Sequence, residues 1–225
     1  MILSKFPILK RLFSPEPKLF FIGFNKCGTK TLTFFLWRNG YNAAHTKTRA
    51  PYRCLRRFLA KIIDKNVRSG RPVLAGLLRY QVFSDLVYTT ANCSIEANAY
   101  FREFHRDHPD AYFVFNDRPL DNWIRSRVAH VNRRTGSFLD RQAMALGLSE
   151  DDTIARWREM YTRHKSEVLD YFRGNPRFMI FNIEHDQPES LVEFLADDFS
   201  LDLSKWEHLG QTSLRPQRLQ RKPTQ

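Results

Sequence analysis

The chain is expected to fold as an α/β protein: a three-layer α/β/α domain around a mainly parallel central sheet, with a phosphate loop after its first strand. Three observations carry this expectation. Short apolar runs alternate with segments of helical periodicity along most of the chain. Its 225 residues, 42% hydrophobic and rich in Phe, suffice for one sizeable core. The first apolar run, Leu19 to Ile22, passes through Gly23 into the polar loop Asn25-Lys26-Cys27-Gly28 and from there into a helix.

Residues 1–17 read as a basic and apolar arm, with Lys5, Lys10 and Arg11 set among Ile2, Leu3, Phe6, Ile8 and Leu9. It lacks the uninterrupted apolar core of a secretory signal, and its composition suits packing on the domain or peripheral contact with an anionic membrane. Ser14-Pro-Glu-Pro17 separates it from the domain proper, 18–212, and a basic tail follows at 213–225.

Within the domain, Leu19 to Ile22 is predicted as a buried strand and Thr29 to Arg38 as a helix closed by Asn39-Gly40. Tyr41 to Ala44 follows as a short strand. Pro51 to Val67 is predicted as a helix with a basic face of Arg53, Arg56, Arg57, Lys61 and Lys65, broken by Gly70-Arg-Pro72. Val73 to Leu78 reads as a strand and Ile95 to His108 as a helix. Ala111 to Asn116 is the clearest strand, and a helix from Leu120 to His130 follows it. Residues 131–148 show little regularity. Thr153 to Phe172 reads as a long helix, Phe178 to Ile183 as a strand and Pro188 to Ala196 as a helix. In a parallel sheet, ligands sit beyond the carboxyl ends of the strands, so the loops after Ile22, Leu78 and Asn116 are expected to converge.

A strand that feeds a glycine loop and opens a helix presents unpaired backbone N–H groups and the positive end of a helix dipole to an anion. Gly23 and Gly28 have the separation of the common nucleotide-triphosphate loop, but Thr29 stands where that loop has lysine, and Lys30-Thr31 come one residue late. Lys26, two residues before Gly28, is instead the lysine placed to reach a bound phosphate. Cys27 reads as a small loop residue rather than a nucleophile. A second strand end repeats the logic: Arg118 lies just past the Ala111–Asn116 run, and Ser126 follows eight residues on. A guanidinium forks onto two anion oxygens and a hydroxyl donates a third bond.

Together these segments resemble the sulfotransferases that use 3′-phosphoadenylyl sulfate (PAPS), a family with a P-loop-like fold. Lys26-Cys27-Gly28-Thr29 is similar to that family's Lys-x-Gly-Thr loop, which holds the 5′-phosphosulfate. Arg118 and Ser126 are similar in type and spacing to its 3′-phosphate pair. Gly40-Tyr-Asn-Ala-Ala-His45, Arg79 to Asp85 and the His-Pro-Asp-Ala-Tyr112 lead into the arginine strand extend the resemblance. The resemblance implies PAPS as co-substrate, adenosine 3′,5′-bisphosphate as product, and in-line transfer of a sulfuryl group to a hydroxyl or amine of an acceptor such as a glycan. It implies Lys26, Cys27, Gly28, Thr29, Lys30, Thr31, Arg118 and Ser126 as donor-binding residues, with Lys26 also catalytic. His45 and Asp85 are the candidates for the acceptor's general base.

A formal charge of +12 favours anionic partners. Two other readings therefore stand beside transfer: a P-loop kinase or nucleotide hydrolase, and a non-catalytic polyanion-binding protein. No nucleic-acid recognition motif is present, and no nucleic-acid partner is expected. Three widely spaced cysteines form no paired or Cys/His pattern, which argues for a reducing, cytoplasmic setting and against a metal site.

Overall fold

The structure, a computed structural model, describes residues 17–209 apart from Pro51, Arg133 and the Arg53 side chain. The basic tail, and the arm up to residue 16, lie outside the described residues. In chain order the elements are β1 (Leu19–Phe21), α1 (Thr29–Arg38), β2 (Ala43–His45), α2 (Leu59–Arg68), β3 (Val82–Ser84), β4 (Val87–Thr90), β5 (Cys93–Glu96), α3 (Phe101–Asp107), β6 (Tyr112–Asp117), α4 (Leu120–Val128), β7 (Val131–Asn132), β8 (Gly136–Ser137), α5 (Phe138–Leu146), α6 (Glu150–Tyr171), β9 (Phe178–Asn182) and α7 (Pro188–Leu195). Short 3₁₀ turns occupy Arg53–Leu55, Ala97–Tyr100 and Leu203–Lys205. Among the described residues no helix is long and apolar enough to cross a membrane.

Five strands form the central sheet in the order β2-β3-β1-β6-β9, and every pair is parallel. The alternation of side chains along β1 and β6 dictates the layers. Phe20, Ile22, Phe113 and Phe115 join the apolar faces of α2, α3 and α6 on one side. Leu19, Phe21, Tyr112 and Val114 join α1 and α7 on the other. Phe20 stacks between Phe104 at 4.6 Å and Phe113 at 5.3 Å. A third cluster of Phe24, Cys27, Trp123, Phe138, Trp157 and Tyr161 gathers the loop after β1 with α4, α5 and α6. The chain leaves β1 for the β2–β3 side and later crosses to β6 on the other side. The carboxyl end of β1 is therefore the switch point where an open α/β sheet leaves a crevice.

The structure corrects several expected elements. Residues 73–78 are not a strand. Turn bonds from Ala75 N to Pro72 O and from Leu77 N to Leu74 O coil the segment, so its apolar residues reach the core at turn spacing. The strand is β3, a fully buried triplet hidden between the polar neighbours Gln81 and Asp85. The loop converging on the site is thus the one after Ser84, not after Leu78. The expected helix over 95–108 begins at Phe101, because residues 93–96 pair with 87–90 in a hairpin rich in β-branched residues. The helix expected from Pro51 starts at Leu59, since Phe58 is extended and bridged to Lys47. The irregular stretch after Val131 contains α5, capped by the Ser137 hydroxyl and closed by left-handed Gly147.

A candidate anion site at the carboxyl ends of the strands

The loop between β1 and α1 is shaped by one buried side chain. Asn116, in β6, accepts from Gly23 N at 2.9 Å and donates to Phe24 O at 3.2 Å and Cys27 O at 3.1 Å. Trp123 Nε1 anchors Asn25 O at 2.9 Å. Gly23 is obligatory, since a Cβ there would lie 2.2 Å from the Asn116 carbonyl oxygen. Gly28, at φ +71°, has Ile183 where a side chain would go. It is also the N-cap of α1, whose first intrahelical bond runs from Leu32 N to Gly28 O. No side chain caps this end and no acidic residue stands in its first turn. The N–H groups of Thr29, Lys30 and Thr31 therefore have no helical acceptor, which is the arrangement that receives an anion.

Lys26 takes the left-handed conformation, φ +68°, inside this loop. Thr46 (φ +58°) and Asp85 (φ +51°), each the first residue past β2 or β3, do the same. These are the only non-glycine residues with positive φ among the described residues. Such backbones cost of order 1–3 kcal/mol each and cluster where function demands them.

Arg118 enters from the end of β6. Its Nη1 donates to Lys26 O at 3.0 Å, and its Nε donates to Glu184 Oε1 at 2.6 Å. Nη2 lies 2.5 Å from the same carboxylate oxygen. Three of the guanidinium's five N–H groups are thereby used, which leaves one on each terminal nitrogen. Burial alone would raise Glu184, but bonds from Asn122 and Arg118 outweigh it and hold the carboxyl below its usual range. The Tyr161 hydroxyl accepts from Arg118 N at 3.2 Å, and Lys165 pairs with Asp117 at 2.8 Å, so the arginine's backbone is braced from α6. Burial and the Arg118 guanidinium pull Lys26 below the usual lysine range, while Asp85 pulls the other way. Two cations held this close relieve their repulsion by sharing an anion. Ser126 is buried on α4, one turn beyond Trp123, the side chain that faces the loop.

At the ends of β2 and β3, the Thr46 hydroxyl donates to Asp85 Oδ2. His45 Nδ1 lies 3.1 Å from that hydroxyl, and His45 Nε2 lies 3.3 Å from Thr29 Oγ1 and 3.7 Å from Asp85 Oδ2. Asp85 Oδ1 is buried with no hydrogen-bond partner among the described residues. Burial holds His45 below the usual histidine range, with Asp85 opposing and Lys30 reinforcing, so the ring is neutral at neutral pH.

Burial likewise lowers His108, His130 and His164. A depressed histidine leaves stability intact above the ordinary value of 6.5 and costs stability as pH falls from there through the folded value. The thermal midpoint, scanned from about pH 7.5 to 5, is expected to fall below that value. His164→Gln is expected to flatten part of that fall.

The structure brings Lys26, Cys27, Gly28, Thr29, Lys30 and Arg118 around one loop, with His45 and Asp85 beside it. Two of the expected residues have their side chains engaged or buried elsewhere. The Thr31 hydroxyl donates to Leu209 O at 3.2 Å and accepts from Leu209 N at 2.9 Å, so only its backbone faces the helix end. The Cys27 thiol is sealed in the third cluster, and burial drives its pKa far up, which removes any thiolate chemistry. Sequence reasoning missed Asn116, Trp123, Thr46 and Glu184. Only Asn116 left a signal, as a polar residue closing the aromatic run Tyr112-Phe-Val-Phe115.

A family model described as a sulfotransferase domain matches residues 18–202. No curated protein matches the chain.

Proposed function

From the chain's membership of the sulfotransferase family, and hence its place among sulfuryl-transferring enzymes, we propose that its donor is PAPS and its acceptor a hydroxyl or amine. The observation that carries this reading is the contact between Arg118 and Lys26. The Arg118 guanidinium bonds the backbone carbonyl of Lys26, 92 residues away in the chain, at the switch point and beside an uncapped helix end. The cradle fits the donor: the open N–H groups at the start of α1 and two cations are what a phosphosulfate and a second phosphate require.

PAPS, when bound, supplies an activated sulfuryl group and a phosphate leaving group. The Lys26 ammonium neutralises the charge that builds on the bridging oxygen as that group departs. Backbone N–H groups from Cys27 to Thr31 hold the 5′ end. The remaining N–H groups of Arg118, with the Ser126 hydroxyl, hold the 3′-phosphate. Asp85 takes the acceptor's proton. Its bare Oδ1 costs about 1–3 kcal/mol if never paired, and a bond from the acceptor offsets that cost. Neutral His45, engaged at both nitrogens, positions Thr46 and through it the carboxylate.

The test is transfer from isotopically labelled PAPS to a panel of hydroxyl and amine acceptors. Labelled product is expected with the wild type and not with Asp85→Asn. Equal turnover by that variant would remove Asp85 from the chemistry.

A further inference from the structure

A groove of about 440 Å³ runs along the outer side of α2. Four of its lining residues are cations, Arg57, Lys61, Lys65 and Arg71, and none is a carboxylate. Lys61 and Lys65 are one helical turn apart, about 6 Å along the axis, and Arg57 stands just before the helix. Among the described residues no ion pair engages any of the four. The carboxylate of α2 itself, Asp64, is bonded to Arg68 and Tyr100 instead. A row of like charges without counter-charges is destabilising in the free protein, and an anion laid along it removes the cost.

The row begins at the candidate active site. Leu59 N donates to Thr46 O at 2.9 Å, and Thr48 N donates to Arg57 O at 2.8 Å. Thr46 is the residue whose hydroxyl holds Asp85. The aromatic rings beside the groove have cations over their faces: Lys47 Nζ lies 4.0 Å from the Phe58 centroid and Lys61 Nζ 5.1 Å from that of Tyr88. A cation thus already sits over one face of each ring, where a nucleobase would otherwise stack. Among the described residues, none of the large exposed apolar side chains lines the groove, so it offers a bilayer no exposed apolar anchor.

Resting on the sulfotransferase reading above, we propose that this groove binds an anionic glycan chain bearing sulfate or carboxylate groups, and that this chain is the acceptor led to Asp85. The chain's charges bind the row while one of its hydroxyls or amines reaches the transfer site.

The experiment titrates a fluorescent heparin octasaccharide into the full chain at physiological salt. Alongside, it records the thermal shift given by adenosine 3′,5′-bisphosphate. Lys61→Glu/Lys65→Glu is expected to weaken octasaccharide binding at least tenfold and to keep the bisphosphate shift, which also shows that it folds. Lys65→Glu/Arg71→Glu is a second variant with the same expectation. Arg156→Glu/Arg163→Glu, on the exposed side of α6, changes net charge equally and is expected to bind like the wild type. Equal losses in this control and the groove variants would mean binding by net charge, and would overturn the proposal. So would groove-dependent binding of single-stranded DNA or anionic vesicles that the octasaccharide does not displace. A wild type without a bisphosphate shift counts against the donor reading alone; groove-dependent octasaccharide binding still counts for the groove.

Discussion

Lys26→Ala is expected to slow sulfuryl transfer by about 10²–10³-fold, the cost of removing one preorganised charge from a developing oxyanion. The fold should not register the change. Lys26 sits in the left-handed region at φ +68°, and alanine there carries the same Cβ strain as lysine, so the backbone cost cancels. Removing the ammonium also removes its repulsion with Arg118, which slightly favours the free protein. Turnover and thermal midpoint measured together separate the two effects: a large fall in kcat with an unchanged midpoint is expected. A variant that turns over like the wild type would take Lys26 out of the mechanism.

Gly23→Ala is expected to cost about 3–5 kcal/mol. The new Cβ would stand 2.2 Å from the Asn116 carbonyl and 2.8 Å from its Oδ1. The first of these atoms is backbone in the central strand β6, so β1 and β6 must part rather than a side chain swing aside. Parting them also breaks the bond from Gly23 N to Asn116 Oδ1 and loosens the two that Asn116 makes to the loop. Against a typical total of about 5–15 kcal/mol, this is a large share. The thermal midpoint should fall by roughly 10 °C or more. Gly76→Ala is the control: at φ +79° it carries left-handed strain, but its Cβ would meet nothing within 4 Å, so about 1–2 kcal/mol is expected. If the two variants lose equal stability, the close approach of β1 and β6 is not what makes Gly23 necessary.

The parts of the fold legible in the sequence are those whose local chemistry agrees with their tertiary role. Thr29–Arg38 was readable because a glycine loop opens it and Asn39-Gly40 closes it. β6 was readable because a central parallel strand buried on both faces is a continuous apolar run. β3 was not, because three residues carry too little pattern, while the nearby Val73-Leu-Ala-Gly-Leu-Leu78 carries the apolar signal for a different reason. The cations Lys26 and Arg118 were legible as motifs, each tied to a strand end. The groups that aim them were not. Trp123 acts on the loop across 98 positions of chain and Glu184 on Arg118 across 66, and nothing local marks such a partner. For Asn116 the loop bonds span 89 to 93 positions.

Calorimetric titration of the chain with adenosine 3′,5′-bisphosphate, without magnesium, tests the shared cradle most directly. Saturable binding is predicted, lost in Lys26→Ala and lost independently in Arg118→Ala. Magnesium-dependent binding of ATP, with no response to the bisphosphate, would contradict it.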